Sequence, residues 1–146
     1  MIPFAQRLLL ALLVALAATA AFAGEPERRA FAARMGLHDI DGFVEAVESL
    51  DRTGRLPPRY VTKDEARRLG WEPGRDLWSV ARGRSIGGDG FGNRERRLPR
   101  LDRGRYYEAD LDYRGGRRNA KRLVWGTDGS RWVTIDHYDS FHRVPR

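Results

Sequence analysis

The sequence predicts an α+β domain, with N-terminal helices packed on a C-terminal antiparallel β-sheet. Apolar residues at Ile40, Phe43, Val44 and Val47 fall at the i, i+3, i+4, i+7 spacing of an amphipathic helix. Beyond Gly83 the spacing shortens to two. Tyr107, Ala109, Leu111 and Tyr113 alternate with Tyr106, Glu108, Asp110 and Asp112, as on a strand with one apolar and one acidic face. Helices first and strands afterwards is the order expected of an α+β fold.

Taken along the chain, the first element is a targeting segment over residues 1–23. Arg7 precedes the apolar run Leu8–Ala17, and Ala21-Phe22-Ala23 has the small-residue spacing of a signal-peptide cleavage site. The apolar run is shorter than the roughly 20 residues that a membrane-spanning helix requires. The exported chain is therefore expected to begin at Gly24 and to have no membrane attachment after cleavage. Residues 24–38, charged and Ala-rich, read as an N-terminal extension or pro-segment, and residues 39–146 as the working domain.

Asp39 or Asp41 caps the first amphipathic helix and Gly54 follows its end. Pro57-Pro58 interrupts the chain. Thr62-Lys63-Asp64-Glu65 then reads as a capping box, in which the Thr hydroxyl and the Glu carboxylate each satisfy an N–H at the helix start. That second short helix stops at Gly70, and a weaker helical turn is expected within Asp76–Arg82. Leu123-Val124-Trp125 and Trp132–Ile135 flank Gly126-Thr127-Asp128-Gly129, the signature of a hairpin with an Asp-Gly turn. The Gly87-Gly88 pair suits a bend or a close backbone approach within a strand.

Composition narrows the chemistry. A chain of 146 residues, 41% apolar and 32% charged, suits one globular domain with its own core. The absence of cysteine excludes disulfides, thiol nucleophiles and cysteine-ligated metals. His137 and His142 are five apart with His38 distant, and no HExxH pattern occurs, so no metal site or cofactor is expected. Ile86–Gly90 lacks the spacing of a nucleotide-phosphate loop.

The excess positive charge is local. Residues 24–81 carry 10 basic and 11 acidic side chains and residues 123–146 carry three of each. Residues 82–122 hold 13 basic side chains against six acidic ones. Such a stretch, with Arg in 25 of the chain's 27 basic positions, is suited to binding a polyanion through planar guanidinium forks.

Several ordered blocks resemble a known family. Tyr60-Val61-Thr62-Lys63-Asp64-Glu65-Ala66, Leu69-Gly70-Trp71, Ser85-Ile86-Gly87-Gly88-Asp89 and Asn93-Arg94-Glu95 are followed by Glu108-Ala109-Asp110, Arg118-Asn119, Arg122 and Asp136-His137-Tyr138. From about residue 41 to residue 146 the chain resembles the secreted barnase-type microbial ribonucleases. The family pattern has Ser in place of Gly92 and an acidic residue in place of Lys121. The first exchange bears on the rigidity of the loop, and the second is expected to make the groove more basic.

RNA carries its own nucleophile, the 2′-OH beside each phosphodiester. Its cleavage requires a base for that proton, an acid for the departing 5′-oxygen, and cations for the crowded phosphate. The resemblance implies Glu108 as general base and His137 as general acid. It likewise implies Lys63, Arg118 and Arg122 as phosphate stabilisers. Arg118 and Arg122 share parity, so a common strand would aim both at one groove. Guanine presents two N–H donors beside an acceptor oxygen. Glu95 can accept from the donors, backbone N–H groups around Asn93 and Arg94 can reach the oxygen, and Phe91, His137 and Tyr138 can supply stacking faces.

The expected protein is thus a secreted, metal-independent, monomeric endoribonuclease that cuts single-stranded RNA 3′ of guanosine. Cleavage passes through a 2′,3′-cyclic phosphate. The resemblance further implies a barstar-like acidic inhibitor as a protein partner. The alternative is a basic RNA-binding or antibacterial interaction module without catalysis. Such a module would have no need of Glu108, His137, Arg118 and Arg122 together.

Overall fold

The structure is a computed structural model that describes residues 24–146, so the signal segment expected over residues 1–23 lies outside the described residues. Residues 24–34 are helical (α1). They are followed by α2 (Ile40–Thr53), β1 (Tyr60–Val61), α3 (Lys63–Arg68) and a 3₁₀ turn at Leu77–Ser79. Five further strands complete the chain: β2 (Ser85–Phe91), β3 (Tyr106–Asp110), β4 (Arg122–Gly126), β5 (Arg131–Thr134) and β6 (His142–Arg143). Among the described residues no helix is long and apolar enough to cross a membrane.

The α2 helix follows the apolar stripe read from the sequence. Asp39 caps it by accepting from the Gly42 N–H, and Gly54 closes it in the left-handed region at φ 70°, where a Cβ would be strained. Its face of Phe43, Val44, Val47 and Leu50 is buried against Ala109, Leu111, Leu123 and Val133 of the sheet side. Each such side chain contributes on the order of 1.5–3 kcal/mol on leaving water. α1 joins the same core. Phe31 packs on Phe43 with ring centroids 6.0 Å apart, and Ala32 and Leu37 are buried beside it. Arg28 of α1 pairs with Asp51 and donates to the carbonyl of Pro145, which ties this segment to the C-terminus.

The capping box at Thr62 and Glu65 opens α3 as expected. Beneath it Val61, Ala66, Trp71, Leu77, Ala81 and Ile86 form a second small core. The expected weak turn within Asp76–Arg82 is a single 3₁₀ turn, capped by Asp76.

The sheet has six strands in sequential order, β1 to β6. Four of its five pairings are antiparallel. The fifth, β1 with β2, is parallel, with α3 and the 3₁₀ turn making the crossover. A bulge between Gly87 and Asp89 shifts the β2 register, and Asp89 thereby lies opposite Glu108. At Gly87 a Cβ would meet Tyr60 and Ala109 at 2.5 and 2.9 Å, so only glycine admits this approach. The β4–β5 hairpin turns through Thr127–Ser130 with Gly129 at φ 89°.

Register sorts the two faces. Ala109, Leu123 and Val133 are cross-strand partners on the helix side. One position on, Asp110, Arg122 and Thr134 align across three strands, as do Glu108, Val124 and Trp132. The second set faces away from the helices, which places two carboxylates and a guanidinium in the open face of the sheet.

Candidate active site

The face opposite the helices is walled by the β2–β3 loop on one side and the β5–β6 loop on the other. Between them lies a groove of about 320 Å³ lined by Phe91, Asn93, Arg94, Glu95, Glu108 and Tyr138, together with Arg97 and Phe141. Glu108 is 8% exposed and sits at the floor of this groove.

Next to it along β3, Asp110 is almost wholly buried and binds two guanidiniums. Arg118 donates from Nε and an Nη to its two oxygens at 2.8 and 2.7 Å, a bidentate fork. That pairing raises the Arg118 pKa above its ordinary value, against the opposing effect of burial. Arg122 lies on the other side, with Nε 3.0 Å from the carboxylate. Its N–H points off the line to the oxygen, which makes the contact an ion pair rather than an aligned hydrogen bond. One Arg122 Nη donates to the Asn119 and Lys121 carbonyls at 2.6 and 2.8 Å, and the other Nη has no hydrogen-bond partner among the described residues.

Arg118 and Arg122 therefore meet for a different reason from the one expected. β4 begins at Arg122 and Arg118 belongs to the preceding loop, so strand parity does not relate them. The shared carboxylate of Asp110 does. Asp110 was not among the candidate residues, although its parity with Glu108 on the polar face was the available signal.

His137 is presented by a tight turn. The Thr134 hydroxyl donates to Asp136 at 2.9 Å and accepts from the Tyr138 N–H at 3.0 Å, while the Ser140 N–H donates to Asp136 at 2.9 Å. The His137 N–H donates to the Ala120 carbonyl. His137 and Tyr138 both adopt left-handed backbone, at φ 53° and 72°, a strain that this web of bonds sustains. The His137 ring lies 4.8 Å from that of Tyr138, which stacks on Phe91 at 5.2 Å. Burial first, and then the nearby Glu108 carboxylate, push the Tyr138 hydroxyl up to about 12.

The bonds from Ser140, first of all, hold the Asp136 carboxyl down to about 2. A carboxyl depressed in the folded state stabilises the turn above its unfolded pKa of 3.8 and ceases to do so as the pH falls toward 2. The amide resonance of Ser140, followed by NMR in acid, is expected to titrate with a midpoint near 2. A midpoint at the ordinary carboxylate value would show that Asp136 does not hold the turn.

The base-binding candidates are gathered by Asn93. Its side chain donates to the Leu98 carbonyl at 2.9 Å and accepts the Leu98 N–H at 3.1 Å, which clasps the loop. Asn93 itself is left-handed at φ 47°, a conformation its side chain tolerates. The rigidity of the loop thus comes from position 93. At Gly92 a Cβ would make only ordinary contact with the Arg94 side chain. Glu95 is exposed, and Arg97 holds its carboxylate.

Lys63 is placed by its backbone, whose N–H donates to Asp89, the cross-strand partner of Glu108. Its ammonium has no carboxylate partner among the described residues. Lys121 does not make the groove more basic. It pairs with Asp112 at 2.9 Å and donates to the Gly36 carbonyl, at the junction of α1 and α2. Burial alone would raise the Asp112 pKa, but the Lys121 ammonium and the N–H groups of His38 and Asp39 outweigh it and hold it low. Among the described residues no cluster of three or more His, Asp or Glu could hold a metal ion.

The sequence has known relatives. Residues 45–145 match the ribonuclease family. A ribonuclease of Heyndrickxia coagulans is 45% identical over 106 residues, which cover 72% of this chain and 97% of that protein. Ribonucleases of Bacillus intermedius and Bacillus pumilus are also 45% identical over 106 residues, and the match spans 65% of the length of each.

Proposed function

This chain belongs to the ribonuclease family, and on that premise we propose that it is a secreted, metal-independent endoribonuclease preferring to cut 3′ of guanosine. The observation that supports this most is the Glu108 carboxylate in a groove walled by Tyr138, whose ring adjoins that of His137, with two guanidiniums held by Asp110 two residues along β3. In this reading Glu108 accepts the 2′-OH proton as the 2′-oxygen attacks phosphorus. His137 in its imidazolium form protonates the departing 5′-oxygen. The product is a 2′,3′-cyclic phosphate. Its hydrolysis exchanges the roles: His137 takes a proton from water and Glu108 returns one to the 2′-oxygen.

Arg118 and Arg122 act as fixed cations. Held by Asp110, they need no reorganisation when negative charge builds on the phosphoryl oxygens. Lys63 adds a further charge at the edge of the site. Guanine lies against the Phe91–Tyr138 pair and donates to Glu95, which must first leave Arg97. The backbone at Asn93 and Arg94 supplies the donors for the guanine oxygen. A barstar-like acidic protein would fit the same groove, because its carboxylates would stand where RNA phosphates do. Export would follow cleavage before Gly24.

Digestion of a defined RNA in the presence of EDTA, with analysis of the products, tests this reading. Cleavage after G with a cyclic phosphate terminus is the expected result. Glu95→Ala should reduce cleavage after G selectively, by roughly 1–3 kcal/mol if a bidentate base contact is lost. An equal loss at all four bases would make Glu95 a structural residue.

A further inference from the structure

The β2–β3 loop carries more positive charge than the reaction uses. Residues 94–105 hold six arginines against Glu95 and Asp102. Glu95 takes Arg97, while Arg94, Arg96, Arg100, Arg103 and Arg105 are exposed and have no carboxylate partner among the described residues. A merely solvated surface would mix its signs, as residues 24–81 do with 10 basic and 11 acidic side chains.

The loop is also held in shape. Leu98 and Tyr106 are buried with Val124 beneath it, and the Tyr106 hydroxyl donates to the Pro99 carbonyl at 2.7 Å. Thr127 from the β4–β5 turn accepts the Arg105 N–H at 3.1 Å. Like charges are thus kept together on a rigid support, an arrangement whose self-repulsion a bound anion would relieve.

The outer side of this loop forms a second, open groove of about 1030 Å³, lined by Arg94, Arg96, Arg100 and Arg105. It shares Gly90–Arg94 with the groove that contains Glu108, so the two are continuous across the base-binding loop. We infer that this second groove holds the phosphodiester backbone of RNA beyond the cleaved nucleotide, and so makes long single strands the preferred substrate. The inference rests on the ribonuclease reading of the adjoining site. The groove selects by charge and length, not by base, because guanidinium contacts to phosphate carry no sequence information.

The test is a triple variant, Arg96→Asn, Arg100→Gln and Arg105→Gln, in which Asn is chosen for the left-handed φ of 56° at position 96. Two readouts are needed. In the first, kcat/KM is compared for a G-containing dinucleoside phosphate and for an oligonucleotide several-fold longer. A loss of about ten-fold or more is expected on the longer substrate, with less than about two-fold change on the dinucleoside.

In the second, fluorescence anisotropy follows binding of an all-2′-deoxy oligonucleotide, which lacks the nucleophile. The slope of log affinity against log salt should shrink by about two, from three phosphate contacts at roughly 0.7 each. Equal losses on both substrates, or an unchanged salt slope, would overturn the inference. So would a variant that loses binding to phosphatidylserine vesicles but keeps its affinity for the oligonucleotide. If the wild type cleaves neither substrate, the ribonuclease reading fails, and the anisotropy arm still decides the groove.

Discussion

Glu108→Gln and His137→Asn are each expected to lower kcat/KM by about 10²–10⁴-fold, the usual contribution of a positioned acid or base. Gln matches the shape of Glu108 but cannot take the 2′-OH proton. Gln also keeps the volume of this buried side chain, so the substitution should leave the thermal midpoint almost unchanged. Asn is the suitable replacement at position 137, where the backbone is left-handed at φ 53°. Glu108→Gln should also lower the pKa of Tyr138 from about 12, since the Glu108 charge is one of the causes that raise it. Ultraviolet titration of the tyrosines reads this out independently of turnover. Retention of more than about a tenth of wild-type activity by both variants would show that the two residues are not the acid–base pair.

What was legible in the sequence was local. The α2 stripe, its Asp39 cap, the Thr62–Glu65 capping box and the Asp-Gly hairpin are all set within a few residues, and each appears where its spacing places it. The polar face of β3 was legible for the same reason, since alternation alone separates Glu108 from Ala109. Long-range pairings were not. A two-residue strand such as β1 has no pattern of its own and exists because the α3 crossover returns the chain beside β2. Lys121 looks like one more groove cation until the fold brings Asp112 and the Gly36 carbonyl to it. The charged composition of residues 24–38 hides three apolar contributions, Phe31, Ala32 and Leu37, whose burial depends on α2 being there to receive them. In the candidate site, the residue types suited to acid–base and phosphate chemistry could be named, whereas those that position them, Asp110, Thr134 and Asp136, acquire meaning only from their partners.

Asp110→Asn is expected to destabilise the protein by about 3–5 kcal/mol, the cost of leaving a buried charge without its counterion. The Asp110 side chain is 1% exposed and that of Arg122 is 4% exposed, so water cannot replace the lost carboxylate. Asn nearly conserves the volume, which excludes a cavity as the cause. It can still accept from one Arg118 nitrogen but no longer offers a second anionic oxygen to the fork. Urea unfolding measures the loss, and a difference below about 1 kcal/mol would show that the cluster is not held by charge. Stability and activity can then be separated with a second change. Asp110→Asn combined with Arg122→Met no longer leaves the buried charge of Arg122 unpaired and should recover part of the stability, because the largest cost of the single change is that uncompensated charge. Activity should not return with it. Arg118 would remain loosely aimed and one of the two fixed cations would be gone, so kcat should stay low while stability partly returns. If the double variant regained turnover along with stability, Asp110 would be a support for the sheet alone and the guanidiniums would owe their aim to other contacts.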